Sequence, residues 1–368
     1  MSLKRTFLFL FISLSVNAFS QDDYVKIGGA LRYNLFTKSW IDDKTDPQIT
    51  WDTWRLNVDA RAAGIDMSFE YRFYPVDNSH FLHHGWLGYG INKDLYMKVG
   101  VSQVPFGISQ FASHSWWFQI PYYVGLEDDY DMGIKFDYTG IKNLTLNLAY
   151  YHQAEPQGAP NFASRYSYDI TPSDSASLKE TGQFNLRAAY KLTEHLELGL
   201  SGQYRRNYNA VLKKSDPSTA FAGHVVADLG KFNLKGEYIY YNYGARDNQG
   251  KELDKVQMGA YGSNYNVAAR GNIYAAGLSY SIDMDLGPIS NIQPYIDYSV
   301  IDKPALGYAP THHFVPGVLI TAGKVYTYVD YAFGKNNAWL GAWENGLAEG
   351  SADANWESRF NINMGFYF

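Results

Sequence analysis

The chain has 368 residues, of which 17% are aromatic, 33 are glycine and none is cysteine, so neither a disulfide framework nor a thiol-linked lipid anchor can form. Its formal net charge of −6 argues against nucleic acid as a partner. Mean hydropathy is −0.32, and beyond residue 20 no apolar run approaches the roughly 20 residues of a membrane-spanning helix. A membrane β-barrel remains compatible with this composition, because only alternate residues of its strands face lipid.

The first 20 residues have the layout of a secretory signal peptide. Lys4 and Arg5 precede an apolar-leaning run at residues 7–16, and Ala18 and Ser20 provide small side chains for a cleavage site. The run is too short to span a membrane. We therefore predict a cleaved leader over residues 1–20 and a single domain over residues 21–368.

Alternation of apolar and polar residues dominates the rest of the chain. In residues 65–73 (IDMSFEYRF), five apolar side chains alternate with Asp66, Ser68, Glu70 and Arg72. A period of two indicates a strand whose two faces meet different environments. About sixteen such segments follow one another along the chain. They cover residues 24–36, 51–62, 65–73, 80–91, 95–103, 130–138, 144–152, 183–191, 194–208, 219–229, 231–243, 270–282, 289–300, 315–321, 324–335 and 356–368.

The connectors between these segments alternate between short and long. Those after even-numbered segments are mostly tight turns. An outer-membrane barrel has short periplasmic turns and long extracellular loops, whereas a β-sandwich has no reason to alternate. We therefore predict an all-β fold, a transmembrane antiparallel β-barrel of about sixteen strands. The predicted long connectors are residues 37–49, 104–129, 154–182, 244–269, 302–314 and 336–355.

The last predicted strand runs to the final residue on its apolar face, which carries Phe366 and Phe368. A barrel must pair its last strand with its first in order to leave no edge in the membrane. We therefore predict that Phe366 and Phe368 belong to a barrel-closing strand, with the final ring at the membrane interface.

The leader, the closing strand and the strand rhythm resemble those of Gram-negative outer-membrane porins. Residues 95–107 (LYMKVGVSQVPFG) and 128–136 (DDYDMGIKF) are similar to the phosphate-selective porin O/P type, in which a strand runs into Pro-Phe-Gly before a long loop. The resemblance implies a passive outer-membrane channel, a homotrimer, with one loop folded into the lumen. The expected partners are the lipid bilayer, lipopolysaccharide and the barrel assembly machinery, and no cofactor is implied.

The predicted constriction loop covers residues 104–129, after the fifth predicted strand. Its rings either form a narrow aromatic passage or pack the loop against the barrel wall or a neighbouring subunit, and we favour packing. Because phosphate-selective porins depend on basic residues near the constriction and this loop contains no Lys or Arg, we do not expect phosphate selectivity. The candidate rings are Phe106, Phe111, Trp116, Trp117, Phe118, Tyr122 and Tyr123.

Charged residues of both signs are predicted to line the pore. Opposite charges two residues apart share a face, as Asp59 does with Arg61. The set indicates a transverse field that orients polar solutes, although one exposed pair is worth only about 0–1 kcal/mol. The predicted pore-lining residues are Lys26, Arg32, Arg55, Asp59, Arg61, Asp66, Glu70, Arg72, Lys98, Asp131, Lys135, Asp137, Arg187 and Glu237.

No metal site is predicted from the sequence. His80 and His84 share a face of a regular strand but stand about 13 Å apart, at about 3.3 Å per residue. The pair His312-His313 is similarly weak. Acidic runs at residues 42–46 and 127–131 offer oxygen ligands suited to Ca²⁺, but solvated loop charge is the preferred interpretation.

Three functional classes of membrane barrel can be compared with this sequence. A barrel enzyme needs a converged Ser/His or Asp/His site at one rim, which the sequence does not assemble. An active transporter needs a large plug segment before the first strand. In this chain the first predicted strand begins almost at the predicted cleavage site. We therefore predict a non-enzymatic diffusion porin for ions and small polar solutes, weakly selective and open to sugar-like molecules. A phosphate- or anion-selective porin is the first alternative, and an outer-membrane barrel enzyme is the second.

Overall fold

The computed structural model describes residues 23–41, 47–109, 111–161, 163–341 and 344–368. The predicted leader and the acidic run at residues 42–46 lie outside the described residues. The described chain is built almost entirely from strands. In chain order the elements are β1 (Tyr24–Lys38), β2 (Gln48–Ala62), β3 (Ile65–Tyr74), β4 (Ser79–Gly90), β5 (Leu95–Gln103), α1 (Ile120–Tyr123), β6 (Tyr130–Ile141), β7 (Leu144–Ala154), β8 (Asp169–Ile170), β9 (Leu178–Thr193), β10 (Leu196–Asn209), β11 (Lys214–Leu229), β12 (Phe232–Tyr243), β13 (Lys255–Ala260), β14 (Ser263–Ala268), β15 (Arg270–Tyr280), β16 (Ile282–Leu286), β17 (Ile289–Asp302), β18 (Thr311–Ala322), β19 (Val325–Lys335) and β20 (Glu357–Tyr367).

The long strands close into one antiparallel barrel. Each pairs with its neighbours along the chain, and β15 and β16 lie in line against β17, so that together they form one barrel strand. The last strand, β20, pairs with β1 from Ala30 opposite Tyr367 to Lys38 opposite Arg359. The closed barrel therefore has sixteen strands, which confirms the predicted fold class.

The alternation in the sequence puts apolar side chains on the outer surface of the barrel. Leu56, Leu200 and Phe221 are 46–72% exposed in the middle of their strands, whereas Ser201, next to Leu200, is only 7% exposed. A soluble sheet buries its apolar face in a core, so an apolar face turned outward all round requires lipid. The polar face encloses the interior.

Turns and loops lie at opposite ends of the barrel. Tight turns such as residues 63–64 and 230–231 form one end, which we call the short-turn rim, and the turn between β11 and β12 uses Gly230 with a φ of +65°. Connectors such as residues 104–129 and 244–269 form the other end, the long-loop rim. Two connectors there, residues 75–78 and 210–213, are also short.

Parts of the long connectors build a second, small sheet. In it β8 pairs with β13, and β13 pairs with β14. Its buried Met258 and Tyr265 join a packed cluster that also contains barrel residues such as Tyr151 and Ile301. The long-loop half of the interior is therefore densely filled. No helix in the described ranges is long and apolar enough to cross a membrane.

Neighbouring residues on β2 test the outward and inward assignment. Leu56→Arg should lower the free energy of unfolding by about 2–4 kcal/mol, because it places a charge on the lipid face. Asn57→Arg is the matched control, since Asn57 lies inside and donates to Glu70 Oε2 at 2.6 Å, where an Arg can also donate. Urea titrations of the barrel in lipid vesicles measure both. Equal destabilisation by the two substitutions would contradict the assignment.

Candidate pore and constriction loop

The 104–129 loop leaves β5 and crosses the interior before it returns to β6. Gly107 N donates to Ser201 Oγ on β10 at 3.1 Å, and Ile108 N donates to Glu237 Oε1 on β12 at 2.9 Å. Both acceptors belong to buried side chains on the inward polar face. The first part of the loop therefore lies against the inner wall across the barrel from β5.

Asp297 on β17 anchors the middle of the loop. Its Oδ2 accepts hydrogen bonds from His114 N at 2.7 Å and Ser115 N at 2.8 Å, while its Oδ1 lies 3.0 Å from His114 Nδ1. Further on, Ile120 N donates to Ser299 Oγ on the same strand at 3.0 Å. Buried backbone N–H groups need partners, and side chains of the barrel wall supply them here. The sequence indicated an inward loop but not these anchors, because they depend on strands more than 170 positions away.

The predicted aromatic residues of the loop pack mainly against one another and against other loops. Phe118 stacks on Tyr122 with ring centroids 4.0 Å apart, and Tyr122 also contacts Tyr168 edge-on. A buried ring has no free face for a solute. The rings range from buried Phe106, Trp117, Tyr122 and Tyr123, through half-buried Trp116 and Phe118, to Phe111, which is 37% exposed.

The acidic run at the end of the loop is buried, so the expectation of solvated charge at residues 127–131 is wrong. The loop turns inward and carries these carboxylates with it. Burial raises the pKa of Glu127 well above its ordinary value, and the nearby Glu237 carboxylate raises it further, although Ala112 N donates to Glu127 Oε1 at 2.8 Å. Burial also raises the pKa of Asp128 to about 6, despite a hydrogen bond from the Tyr166 hydroxyl.

Most of the predicted pore-lining charges form ion pairs, either within one strand or between neighbouring barrel strands from β1 to β10. Arg187 also donates from Nε to Gly107 O at 2.7 Å, which ties this wall to the loop. Seven bases share five carboxylates in these pairs, because Glu70 and Asp137 each face two bases, so the pairing reduces the positive charge of this wall without cancelling it. The pairs, at 2.5–3.8 Å, are Arg32–Asp52, Arg55–Glu70, Arg72–Glu70, Arg61–Asp66, Lys98–Asp137, Lys135–Asp137 and Arg187–Glu197.

A water-accessible cavity of about 350 Å³ lies near the short-turn rim. Lys26, Asp59, Arg61 and Asp66 are among the residues that line it, so the structure brings these four predicted residues together. Asp131 lies elsewhere, at the long-loop end of β6, where its Oδ2 accepts a hydrogen bond from a buried Gln183.

A bulge changes the arrangement that the sequence predicted for the histidines of β4. The β3–β4 register shifts between Glu70 and Tyr71 and leaves His83 without a cross-strand partner. As a result His83 and His84 both face Glu70, with their Nδ1 atoms 2.8 Å apart, whereas His80 bonds to the Tyr71 hydroxyl. The expectation that His80 and His84 share a face is therefore wrong, because it assumed a regular strand.

No protein-family model matches the chain, and no curated protein matches it. Several solved structures share its fold. OmpF of Salmonella typhi in complex with daunomycin has a TM-score of 0.63 and 11% identity, covering 94% of this chain and 98% of that chain. An anion-selective porin from Comamonas acidovorans has a TM-score of 0.59 and 13% identity, covering 94% and 100%. The outer membrane protein OmpT of Vibrio cholerae in a trimer form has a TM-score of 0.55 and 13% identity, covering 94% and 99%.

At these identities the likeness shows the fold alone, which is the barrel fold of outer-membrane porins. The finer resemblance to phosphate-selective porins stays a prediction, as do the individual pore-lining and constriction roles.

Removal of the Asp297 carboxylate tests the anchoring of the loop. Asp297→Ala should lower the free energy of unfolding by about 1–3 kcal/mol for each buried N–H left without an acceptor. Asp297→Asn is the control, because its amide oxygen can still accept from His114 N or Ser115 N. Chemical unfolding measures the stability of both variants, and protease digestion measures how firmly the loop is held in each. If the alanine variant were as stable and as protease-resistant as the parent, the loop would be held by other contacts.

Proposed function

We propose that this protein is an outer-membrane porin through which ions and small polar solutes diffuse passively. The observation that carries the proposal is a closed sixteen-strand barrel with a charged inner face and one loop laid across its interior. A barrel of this size can enclose an aqueous channel. The fold shared with OmpF and with the anion-selective porin supports the same function. The proposal includes export by the predicted leader and no catalytic step.

The proposed path follows the charged wall of the early strands. Side chains of Arg55, Lys98 and Asp137 are 23–25% exposed there, and the wall continues into the cavity at the short-turn rim. The long-loop half of the interior is filled by the loop and its aromatic cluster. The passage is therefore narrow, and the 104–129 loop sets the upper limit on solute size.

Weak charge selectivity follows from the pairing of the wall charges. The loop contributes no Lys or Arg, and seven basic residues of the wall are already held in ion pairs by carboxylates. A phosphate site needs basic donors that are free to bind the anion. Sugar-like solutes find Phe111, the most exposed of the candidate rings, and polar side chains along the wall.

An anion-selective porin is the second candidate. It is favoured by the name of one structural neighbour and by the concentration of arginine on β1–β3. Reversal potentials in a salt gradient, before and after addition of phosphate, separate the two. A small reversal potential without phosphate block supports the weakly selective pore. Strong anion preference with block by submillimolar phosphate supports the phosphate-selective alternative.

A homotrimer is part of the proposal, and the trimer form of one neighbour supports it. Light scattering on the purified protein in detergent tests the assembly, with a mass of three chains expected and a mass of one chain contradicting it.

Deletion of residues 113–122 tests the size limit. This segment includes His114 and Ser115, which Asp297 anchors, and four of the packed rings, so its loss should open the lumen. In liposome-swelling assays we expect faster entry of sugars and admission of larger ones. A variant lacking residues 305–307, an exposed loop tip, is the control. Unchanged swelling after the 113–122 deletion would show that the loop does not limit passage.

Loss of one acid at the wall tests the balance of charge. Glu70 faces both Arg55 and Arg72, so Glu70→Gln leaves two guanidinium groups without an anionic partner. The reversal potential should shift toward anion preference. Asp283→Asn, at an exposed site whose side chain is 82% accessible, is the control and should leave it unchanged. If both variants kept the reversal potential of the parent protein, the ion path would lie away from Glu70.

A further inference from the structure

Five carboxylates are buried together where the 104–129 loop returns to the barrel. Two are on either side of the first residue of β6, one begins β8, one follows β7 and one is on β9. Each is at most 4% exposed. The members of this acid cluster are Asp129, Asp131, Glu155, Asp169 and Glu180.

The acid cluster has more negative charge than its basic neighbours balance. Arg165 Nη1 lies 2.9 Å from Asp169 Oδ2, and Arg205 Nη1 lies 2.5 Å from Glu180 Oε2. Within the described part of the chain, these two arginines are the bases paired with the cluster. Several ionised carboxylates without counter-charge are costly to bury. The site therefore requires either bound protons or a cation.

Individual oxygen atoms of the cluster point to a cation. Asp131 Oδ2 accepts from Gln183 Nε2 at 2.9 Å and Asp169 Oδ2 from Arg165, yet the Oδ1 atom of each is buried without a hydrogen-bond partner among the described residues. Asp129 Oδ1 and Glu155 Oε2 are also buried without a hydrogen-bond partner among the described residues. The other oxygen of Glu155, Oε1, accepts a hydrogen bond from a backbone N–H at 2.9 Å. Donors thus hold Asp131, Asp169 and Glu155 by one oxygen, and the second oxygen of each has no donor among the described residues.

A neutral side chain next to the cluster gives an independent indication. Gln183 is 4% exposed and uses its Nε2 on Asp131, but its Oε1 has no hydrogen-bond partner in the ranges that the structure describes. No described protein group donates to this amide oxygen. It is, however, an ordinary ligand or water acceptor beside a hard cation.

We propose that Asp129, Asp131 and Asp169 form a binding site for one Ca²⁺ ion. One oxygen from each of the three lies within 4.8 Å of the others. Ca²⁺ binds oxygen at about 2.3–2.6 Å, so a single ion spans up to about 5 Å between opposite ligands. The ligand set contains only oxygen, which favours Ca²⁺ over zinc or copper. Ca²⁺ also tolerates the irregular geometry of ligands from two chain segments better than Mg²⁺ does.

The site joins segments that are far apart in the sequence. Asp129 and Asp131 bracket the start of β6, and Asp169 lies opposite Gly259 in the small sheet of the long-loop rim. The ion therefore fastens the end of the 104–129 loop to the sheet built by the outer connectors. Its loss should loosen both while the barrel strands remain paired.

The experiment uses the full-length barrel refolded in detergent without lipopolysaccharide, and Ca²⁺ alone as the probe. Calorimetric titration should give one Ca²⁺ per chain, and Ca²⁺ should raise the melting temperature relative to EGTA. Tb³⁺ provides a local signal, because Tyr130 lies between the two aspartates and Tyr166 and Tyr168 are nearby in the sequence. Ca²⁺ should quench tyrosine-sensitised Tb³⁺ luminescence by competition.

Variants locate the site. Asp131→Asn and Asp169→Asn should each weaken Ca²⁺ binding at least tenfold. Asp128→Asn is the matched control, because Asp128 is buried in the same segment but its oxygens already bond to Gln103 and Tyr166. It should retain the parent affinity for Ca²⁺.

The wild-type measurements decide the question if a variant fails to fold. No Ca²⁺ binding at millimolar concentration, or equal melting temperatures in Ca²⁺ and EGTA, would overturn the proposal and show that the carboxylates hold protons instead. Equal binding of Mg²⁺ would overturn the assignment to Ca²⁺. Loss of binding in Asp128→Asn alone would place the ion elsewhere in the loop.

Discussion

The structure depends on closure of the backbone hydrogen-bond ladder. A strand edge left open in lipid has no partner for its N–H and C=O groups, so a membrane sheet must return to its first strand. Here the return is made by β20 on β1 and continues to the last residue, where Gly29 and Phe368 exchange two N–H···O bonds of 3.1 Å. A side chain at Gly29 would meet the Arg55 carbonyl and the Phe368 ring. Closure then fixes which face of every strand is lipid-facing.

The inward polar face meets a second requirement, because it supplies partners for an irregular loop that crosses the interior. Ser201, Glu237, Asp297 and Ser299 accept backbone N–H groups that would otherwise be buried unpaired. The same wall pairs its arginines on β1–β3 and β9 with carboxylates of the same or a neighbouring strand. A polar interior therefore both holds the inward loop in place and engages much of its own basic charge in ion pairs.

The sequence predicted the barrel well, because a period of two is a local signal that lipid and water impose on every strand. It located all sixteen barrel strands but missed features that depend on pairing. β11 begins at Lys214, ahead of Pro217, since the end of β10 supplies its pairing partners. The two-residue β8 has no periodicity to detect. The bulge at His83 depends on the register between β3 and β4, and the burial of the acidic run depends on the inward path of the loop. The local spacing of residues in the sequence predicts neither of them.

Single-channel recording in a planar bilayer tests the central claim most directly. Purified, folded wild-type protein should insert with discrete, reproducible current steps that are linear in voltage near zero. This result is expected of a water-filled barrel narrowed by a fixed loop. Complete absence of steps from protein whose heat-modifiable folded form is verified on gels would contradict it, and would show that the packed loop closes the lumen.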